Sequence, residues 1–540
     1  MPPMIRPTDL HPFTRLDVPT LLAHRAATRR HHPFIIWEPF EGDALTYTYG
    51  EFHHRVGRIA GGLARRGVVA GDKVLIHLDN CPEALLAWYA CAHLGAVAVT
   101  TNARAADDEL AYYADFCGAV AAITQPKFAE RVAANCRALR WLVVTVTDNG
   151  TPPAQPVEPG QRFETLDADA PPRRSPDPLA PCSVQYTSGT TSRPKAVLWT
   201  HANALWGARI NAAHEDLQAA DVHLVHLPLF HTNAQAYSVL ATLWAGGTAV
   251  VLPRFSASRF WPISLARRCS WTSMIPFCIK ALMAHEVPAQ HFYRRWGAAA
   301  CALPTDAHFR VQTMGWWGMT ETITHGIVSD LHWPSPSLSI GRPAPEYSIA
   351  IVDDDECPVA EARAIEPGGS GQLMLRGVRG LSLFQTYLGN EQATAASFTA
   401  DGWFRTGDRV DLLDCGSIRF GDRSKDMLKV GGENVAASEI ERVINTVPGV
   451  YECAVVARKH RMLDEVPVVF VLPAAGLLQT TPGAAADLVA RITAACSTQL
   501  ADFKRPHELR LVSELPRSTL EKVAKAELRR QLEADGDAGA

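Results

Sequence analysis

The chain has little that would mark a secreted, membrane-embedded or nucleic-acid-binding protein. Its twelve cysteines stand singly from Cys81 to Cys496 with no C-x-x-C pair. Neither a disulfide framework nor a zinc knuckle is indicated, and reduced thiols in a cytoplasmic protein are expected. Lys and Arg (52) nearly balance Asp and Glu (56), a formal net charge of -4, and they do not cluster. Short pairs such as Arg173-Arg174 and Arg267-Arg268 read as solvated surface, so no nucleic-acid partner is expected. The start, MPPMIRPTDL, lacks the basic-then-apolar order of a signal peptide. The most apolar stretch, Ala84 to Thr100, is interrupted by His93 and Gly95. It reads as a buried helix, a turn and a strand, not as a membrane span. No internal repeat or low-complexity tract stands out.

What is present is a long chain of ordinary soluble, enzyme-like composition. Its 540 residues exceed one hydrophobic core, so two or more domains are expected. From Tyr47 to Asn80 the pattern is an amphipathic helix, a Gly-terminated turn and the strand KVLIHL. The same rhythm returns at LLAWYACAHLGAVAV and at AYSVLATLWAGGTAVVL. That alternation predicts an α/β fold with mainly parallel sheets. Thr151 to Pro181, rich in Pro, Asp and Arg without an apolar period, reads as a surface connection. Beyond Ile340 short strands with Gly and Asp turns predict a small β-rich subdomain. AASEIERVINTV, ECAVVARKH and VPVVFVLP then predict a small separate α+β unit. The expected division is 1–424, 425–532 and a disordered tail at 533–540.

The stretch YTSGTTSRPKAV, Tyr186 to Val197, sets five Ser/Thr hydroxyls around a glycine ahead of Pro-Lys. A Walker A loop needs Gly-Lys-Ser/Thr in direct succession, and here Lys195 stands between Pro194 and Ala196, so that reading fails. A hydroxyl-rich loop can still wrap phosphates with backbone N–H groups; alone, it is equally a polar surface turn.

Further stretches follow in order: WWGMTET (Trp316 to Thr322), DGWFRTGD (Asp401 to Asp408), GDRSKDMLKVGGENVAASEIE (Gly421 to Glu441) and LPRSTLEKVAKAELRR (Leu515 to Arg530). Together with the Tyr186 loop they resemble the adenylate-forming superfamily: acyl-CoA synthetases, amino-acid adenylation domains and luciferases. The resemblance spans roughly Leu45 to Leu528 and is nearest to the carnitine and medium-chain fatty-acid CoA ligases. It implies a large N-terminal domain and a small mobile C-terminal one. It also implies that ATP activates a carboxylic acid to acyl-AMP with release of pyrophosphate, and that coenzyme A then displaces AMP. The first step joins two anions, so charge neutralisation is the main demand on the protein.

By the same resemblance, Thr187, Ser188, Gly189, Thr190 and Thr191 would hold the β- and γ-phosphates, with Lys195 near the polyphosphate. Glu321 and Thr187 would bind Mg²⁺, which favours hard oxygen ligands. Trp317, at the usual Tyr position, would lie beside adenine, with Gly318, Met319 and Thr320 following it. Asp408 would accept both ribose hydroxyls, and Arg423 would contact the ribose or α-phosphate. Lys522 would reach the α-phosphate and the acid's oxygens; Lys525, three residues on, shares its helical face. Lys425 matches the hinge about which the small domain swings, and Gly431 and Gly432 would then leave room for the pantetheine arm. Besides Trp317, three positions that are glycine in the family pattern differ here: Ser192, Ala196 and Glu521.

The acid pocket is the least legible part. Amino-acid-activating relatives place an Asp where PLFHTNAQ has His231, so an α-amino acid is disfavoured. His231, Thr232 and Asn233 are expected to line the acid site, and Trp316 to shorten it toward a small or medium acid. His231 could equally be a structural residue and Trp316 plain core. Two alternatives stay open: transfer to a carrier-protein thiol, and a weakly catalytic acyl-adenylate or CoA-binding protein. The oligomeric state, a homodimer included, is undetermined by sequence.

Overall fold

Thr48 begins the first long helix, Tyr49–Arg65. Its hydroxyl accepts the Glu51 N–H, and the Glu51 carboxylate accepts the Thr48 N–H at 2.9 Å. This reciprocal cap satisfies amides the helix cannot. Phe52, Val56, Ile59, Ala60 and Leu63 are buried at three- and four-residue spacing, the periodicity of one helical face. The structure, a computed structural model, describes residues 11–146, 160–187, 194–423, 427–430, 433–460, 463–477, 483–500, 502–517 and 522–537.

The helix–glycine–strand rhythm recurs as expected. Helix Pro82–Leu94 ends at Gly95, whose φ of 82° only glycine adopts without strain, and strand Val97–Thr100 follows. Helix Ala241–Ala245 ends likewise at Gly246, φ 84°, before strand Thr248–Val251. The residues leading into that second helix, Asn233–Leu240, form wider π-helical turns, a geometry that periodicity does not signal.

Two large sheets result. One has nine strands, with Val222–Val225, Trp271–Ser273, Arg295–Ala298 and Gln312–Trp317 running parallel near its centre. The other has eight, with Lys73–His77 between Val97–Thr100 and Ala119–Thr124. A third sheet, of four antiparallel strands from Ser348 to Arg423, is the β-rich subdomain.

Two expectations are corrected. Part of the supposed surface connection is packed: Phe163 and Leu166 are buried. A Cβ at Gly61 would lie 2.0 Å from Asp169 O, and one at Gly62 would lie 1.8 Å from Leu166 O. Those glycines let the segment press onto the first helix, a contact written in the helix and not in the connection. At the other end, helix Lys525–Asp537 runs into the expected 533–540 tail.

The main core of the large domain draws on residues from Val18 to Ile418, and the small domain has its own, from Leu428 to Leu532. Its sheet places Asp464–Pro473 between Met427–Val430 and Val450–His460, with Glu508–Leu511 added in parallel. No described helix is long and apolar enough to cross a membrane.

Candidate active site

The hydroxyl-rich loop joins two antiparallel strands, Pro181–Thr187 and Lys195–Thr200, with Thr187 opposite Lys195. Thr187 Oγ1 donates to Lys195 O at 3.5 Å. The Lys195 ammonium lies 4.5 Å from the Tyr387 ring centroid, held over its electron-rich face. Ser188, Gly189, Thr190, Thr191 and Ser192 fall outside the described residues. Ala196 is buried in a cluster with Val184 and Leu198. Its methyl fills apolar space there.

Glu321 sits just beyond strand Gln312–Trp317. Its backbone carbonyl accepts the Phe384 N–H at 2.8 Å, and its Oε1 accepts the Tyr387 hydroxyl at 2.8 Å. The turn that carries it is strained. Ile323, fully buried and β-branched, holds a φ of 64°, a region costing such a residue on the order of 1–3 kcal/mol. Asn211 Nδ2 donates to Ile323 O, and Trp199 Nε1 donates to Thr320 O. These bonds, with that of Phe384, pin the turn from three other elements. A buried carboxylate aligned by a hydroxyl suits Mg²⁺, which takes few protein oxygens and leaves the rest to phosphate and water. No three His, Cys, Asp or Glu side chains gather into a metal cluster among the described residues.

Trp317 is buried, and its indole N–H donates to Asp408 Oδ2 at 2.8 Å. That bond fixes the orientation of the Asp408 carboxylate. Asp408 follows Gly407 (φ 71°) and lies directly across the antiparallel pair from Arg423.

Of the acid-site candidates, Thr232 donates its hydroxyl to Gln185 Oε1 at 2.7 Å. Asn233 starts the π-helical turns. The His231 residue is half-buried; burial of its ring, and then the Lys522 charge, lower its pKa to about 3, so it is neutral near pH 7. Trp316 is buried and stacks on His325 with centroids 4.3 Å apart, and Tyr237 lies 4.4 Å from the same imidazole. A Cβ at Gly297 would fall 1.6 Å from Trp316 Cη2, so the indole occupies side-chain space that Gly297 vacates. Gly318 is confined too: a Cβ there would meet the Tyr237 hydroxyl at 2.4 Å and Thr324 O at 2.5 Å.

Beneath this aromatic group lie Glu215 and His325, with Oε1 and Nε2 3.8 Å apart and both side chains inaccessible to solvent. Burial raises the Glu215 carboxyl well above its ordinary range and lowers the His325 imidazole well below its own. Both directions favour neutral forms.

Lys522, on the small domain, is close enough to His231 for its charge to be felt there. Lys525, its rival in sequence, is ion-paired with Glu441 at 2.9 Å inside the small domain. Lys425, Gly431, Gly432 and Glu521 lie outside the described residues, and of Arg423 only the backbone is described. Tyr387, Glu215 and His325 escaped the sequence reading. Tyr387 stands in FQTYLGN, 66 residues from Glu321, and no local pattern links the two.

Fold and site together define an adenylate-forming enzyme, and comparison with known proteins agrees. The AMP-binding enzyme model matches residues 22–388, and the AMP-binding enzyme C-terminal domain model matches 439–522. The chain belongs to the AMP-binding enzyme family. Within it the chain falls in the acyl-CoA synthetase branch, the AMP-forming acid–thiol ligases. It is 32% identical over 520 residues to the crotonobetaine/carnitine–CoA ligase of Escherichia coli O139:H28 (strain E24377A / ETEC), covering 92% of this chain and 96% of that one. The enzyme of that name from Shigella sonnei (strain Ss046) matches to the same extent. Among solved structures, ATP-bound MatB from Rhodopseudomonas palustris superposes with a TM-score of 0.82 at 24% identity, over 96% of this chain and 99% of that chain. The anthranilate CoA ligase AuaEII in complex with anthranoyl-AMP gives 0.84 at 22%, over 99% and 100%.

Proposed function

We propose that this enzyme activates a small carboxylic acid and passes it to coenzyme A, with Lys522 and the Trp316 pocket as the parts that set rate and choice of acid. A carboxylate oxygen attacks the α-phosphorus of ATP, the bond to the bridging oxygen breaks, and pyrophosphate leaves. In the second step the CoA sulfur attacks the acyl carbon, the carbon–oxygen bond to AMP breaks, and the thiol proton passes to solvent. Lys522 offsets the repulsion between the anionic reactants in the first step. Glu321, aligned by Tyr387, and Thr187 would hold Mg²⁺, which neutralises charge on the phosphates. Asp408, oriented by Trp317, takes the ribose hydroxyls. Neutral His231 adds no second cation that would compete with Lys522 for the carboxylate.

One observation supports this reading: the charge of Lys522, from the small domain, acts on His231 of the large domain. Support for a small acid is the Trp316 indole, packed over Gly297 and stacked on His325. Crotonobetaine and carnitine, the acids in the relatives' names, head the test panel, followed by straight-chain acids of increasing length. ATP- and CoA-dependent pyrophosphate release should peak among the short acids. Lys522→Ala should lower acid-dependent pyrophosphate exchange on the order of a hundredfold; exchange at the wild-type rate would remove Lys522 from the mechanism. A carrier-protein thiol is the competing acceptor, and product analysis with CoA against a phosphopantetheinylated carrier separates the two.

A further inference from the structure

Besides the Lys522–His231 approach, another contact joins the two domains. Lys280 belongs to helix Pro276–Leu282 of the large domain. Its ammonium lies 3.8 Å from the centroid of the Tyr451 ring, at the start of small-domain strand Val450–His460. The next residue, Glu452, holds Arg517 in a two-pronged pair, with Nη1 to Oε1 at 3.0 Å and Nη2 to Oε2 at 2.5 Å. Arg517 is in turn bridged through its backbone to Val523, the residue after Lys522. Loss of water around the Lys280 ammonium lowers its pKa, against an opposing pull from Glu452. Contact therefore runs from the large domain through Tyr451, Glu452 and Arg517 to the segment that bears Lys522.

We propose that Lys280 is a positioning residue for the first half-reaction, its ammonium seated on Tyr451 beside the Glu452–Arg517 pair so that the small domain docks with Lys522 at the acid pocket. The proposal rests on the adenylating role assigned to Lys522. A cation on an aromatic face suits the task. It holds without a buried ion pair, whose removal would be costly, and its strength is modest enough to release when the small domain turns for thioester formation.

The test uses the full chain and the most active acid of the panel, with two assays: acid-dependent ATP–pyrophosphate exchange, and thioester formation from the synthetic acyl-adenylate and CoA. Lys280→Ala and Tyr451→Ala should each slow exchange about three- to tenfold. Thioester formation should be unchanged or faster. Lys280→Arg should stay within about twofold of wild type, since a guanidinium also seats on an aromatic face. Equal loss in both assays, no loss in exchange, or failure of Lys280→Arg to retain the rate would overturn the proposal. Small-angle scattering supplies an arm independent of any acid. Lys280→Ala should broaden the interdomain distance distribution and Lys280→Arg should not; identical profiles would refute the docking role. A wild-type enzyme that releases no pyrophosphate with any acid would instead strike the activity, leaving the scattering result to decide the docking.

Discussion

Acid should unfold the large domain through histidines that folding forces to stay neutral. His77, His223 and His226 are each at most 2% exposed, and burial lowers each pKa from 6.5 to about 3. In the unfolded chain these imidazoles take protons as the pH falls through 6.5; in the folded chain they do not until about 3. The stability they contribute is thus complete above about pH 6.5 and lost progressively as pH falls. Between about pH 7.5 and pH 5 each costs about 2 kcal/mol, from 1.36 kcal/mol per unit times the roughly 1.5 units separating pH 5 from the unfolded value. The figure does not depend on the folded value so long as that lies well below 5. Three such groups cost about 6 kcal/mol, a large part of a typical domain stability of about 5–15 kcal/mol. His223→Leu, in the buried strand Val222–Val225, removes one of them. All thirteen tryptophans lie between Trp37 and Trp403, so denaturant unfolding followed by tryptophan fluorescence reports the large domain alone. The variant should lose about 2 kcal/mol less than wild type over this pH interval. Parallel losses, within about 0.5 kcal/mol, would refute the reasoning.

Three further outcomes follow from the site. Glu215→Gln should cost less than about 1 kcal/mol if Glu215 and His325 are both neutral, whereas breaking a true buried ion pair costs about 3–5 kcal/mol; thermal unfolding decides. Gly297→Ala should drive the Trp316 indole from its place, destabilise by about 1–3 kcal/mol and change the KM for the acid. Trp316→Phe, which shortens the ring, should relieve the added methyl, so the double variant should be less impaired than the sum of the singles. Tyr387→Phe removes the hydroxyl that aligns Glu321, a hydrogen bond to a charged group worth about 1.5–3 kcal/mol. It should lower kcat/KM for adenylation by at least tenfold and raise the Mg²⁺ concentration needed for half-maximal rate; an unchanged Mg²⁺ requirement would separate Tyr387 from the metal.

Local pattern determined a great deal here. The capping Thr48, the Gly95 and Gly246 turns and the valine-rich strands each follow from neighbours a few residues apart, and so the α/β layers and the small C-terminal unit were legible. So was the order of the motifs, which identified the family before any geometry. Tertiary structure decided what those motifs touch. Trp317 finds Asp408 across 91 positions, and Glu321 finds Tyr387 across 66. Trp316 lies flat only because Gly297, on the neighbouring strand, has no side chain. The backbone of Leu166, Ala168 and Asp169 lies against the first helix only because Gly61 and Gly62 have no side chains there. Periodicity records the face a residue turns inward, since that depends on its own helix or strand. It carries no record of which distant element covers that face, because chain closure and packing choose the partner after the elements have formed.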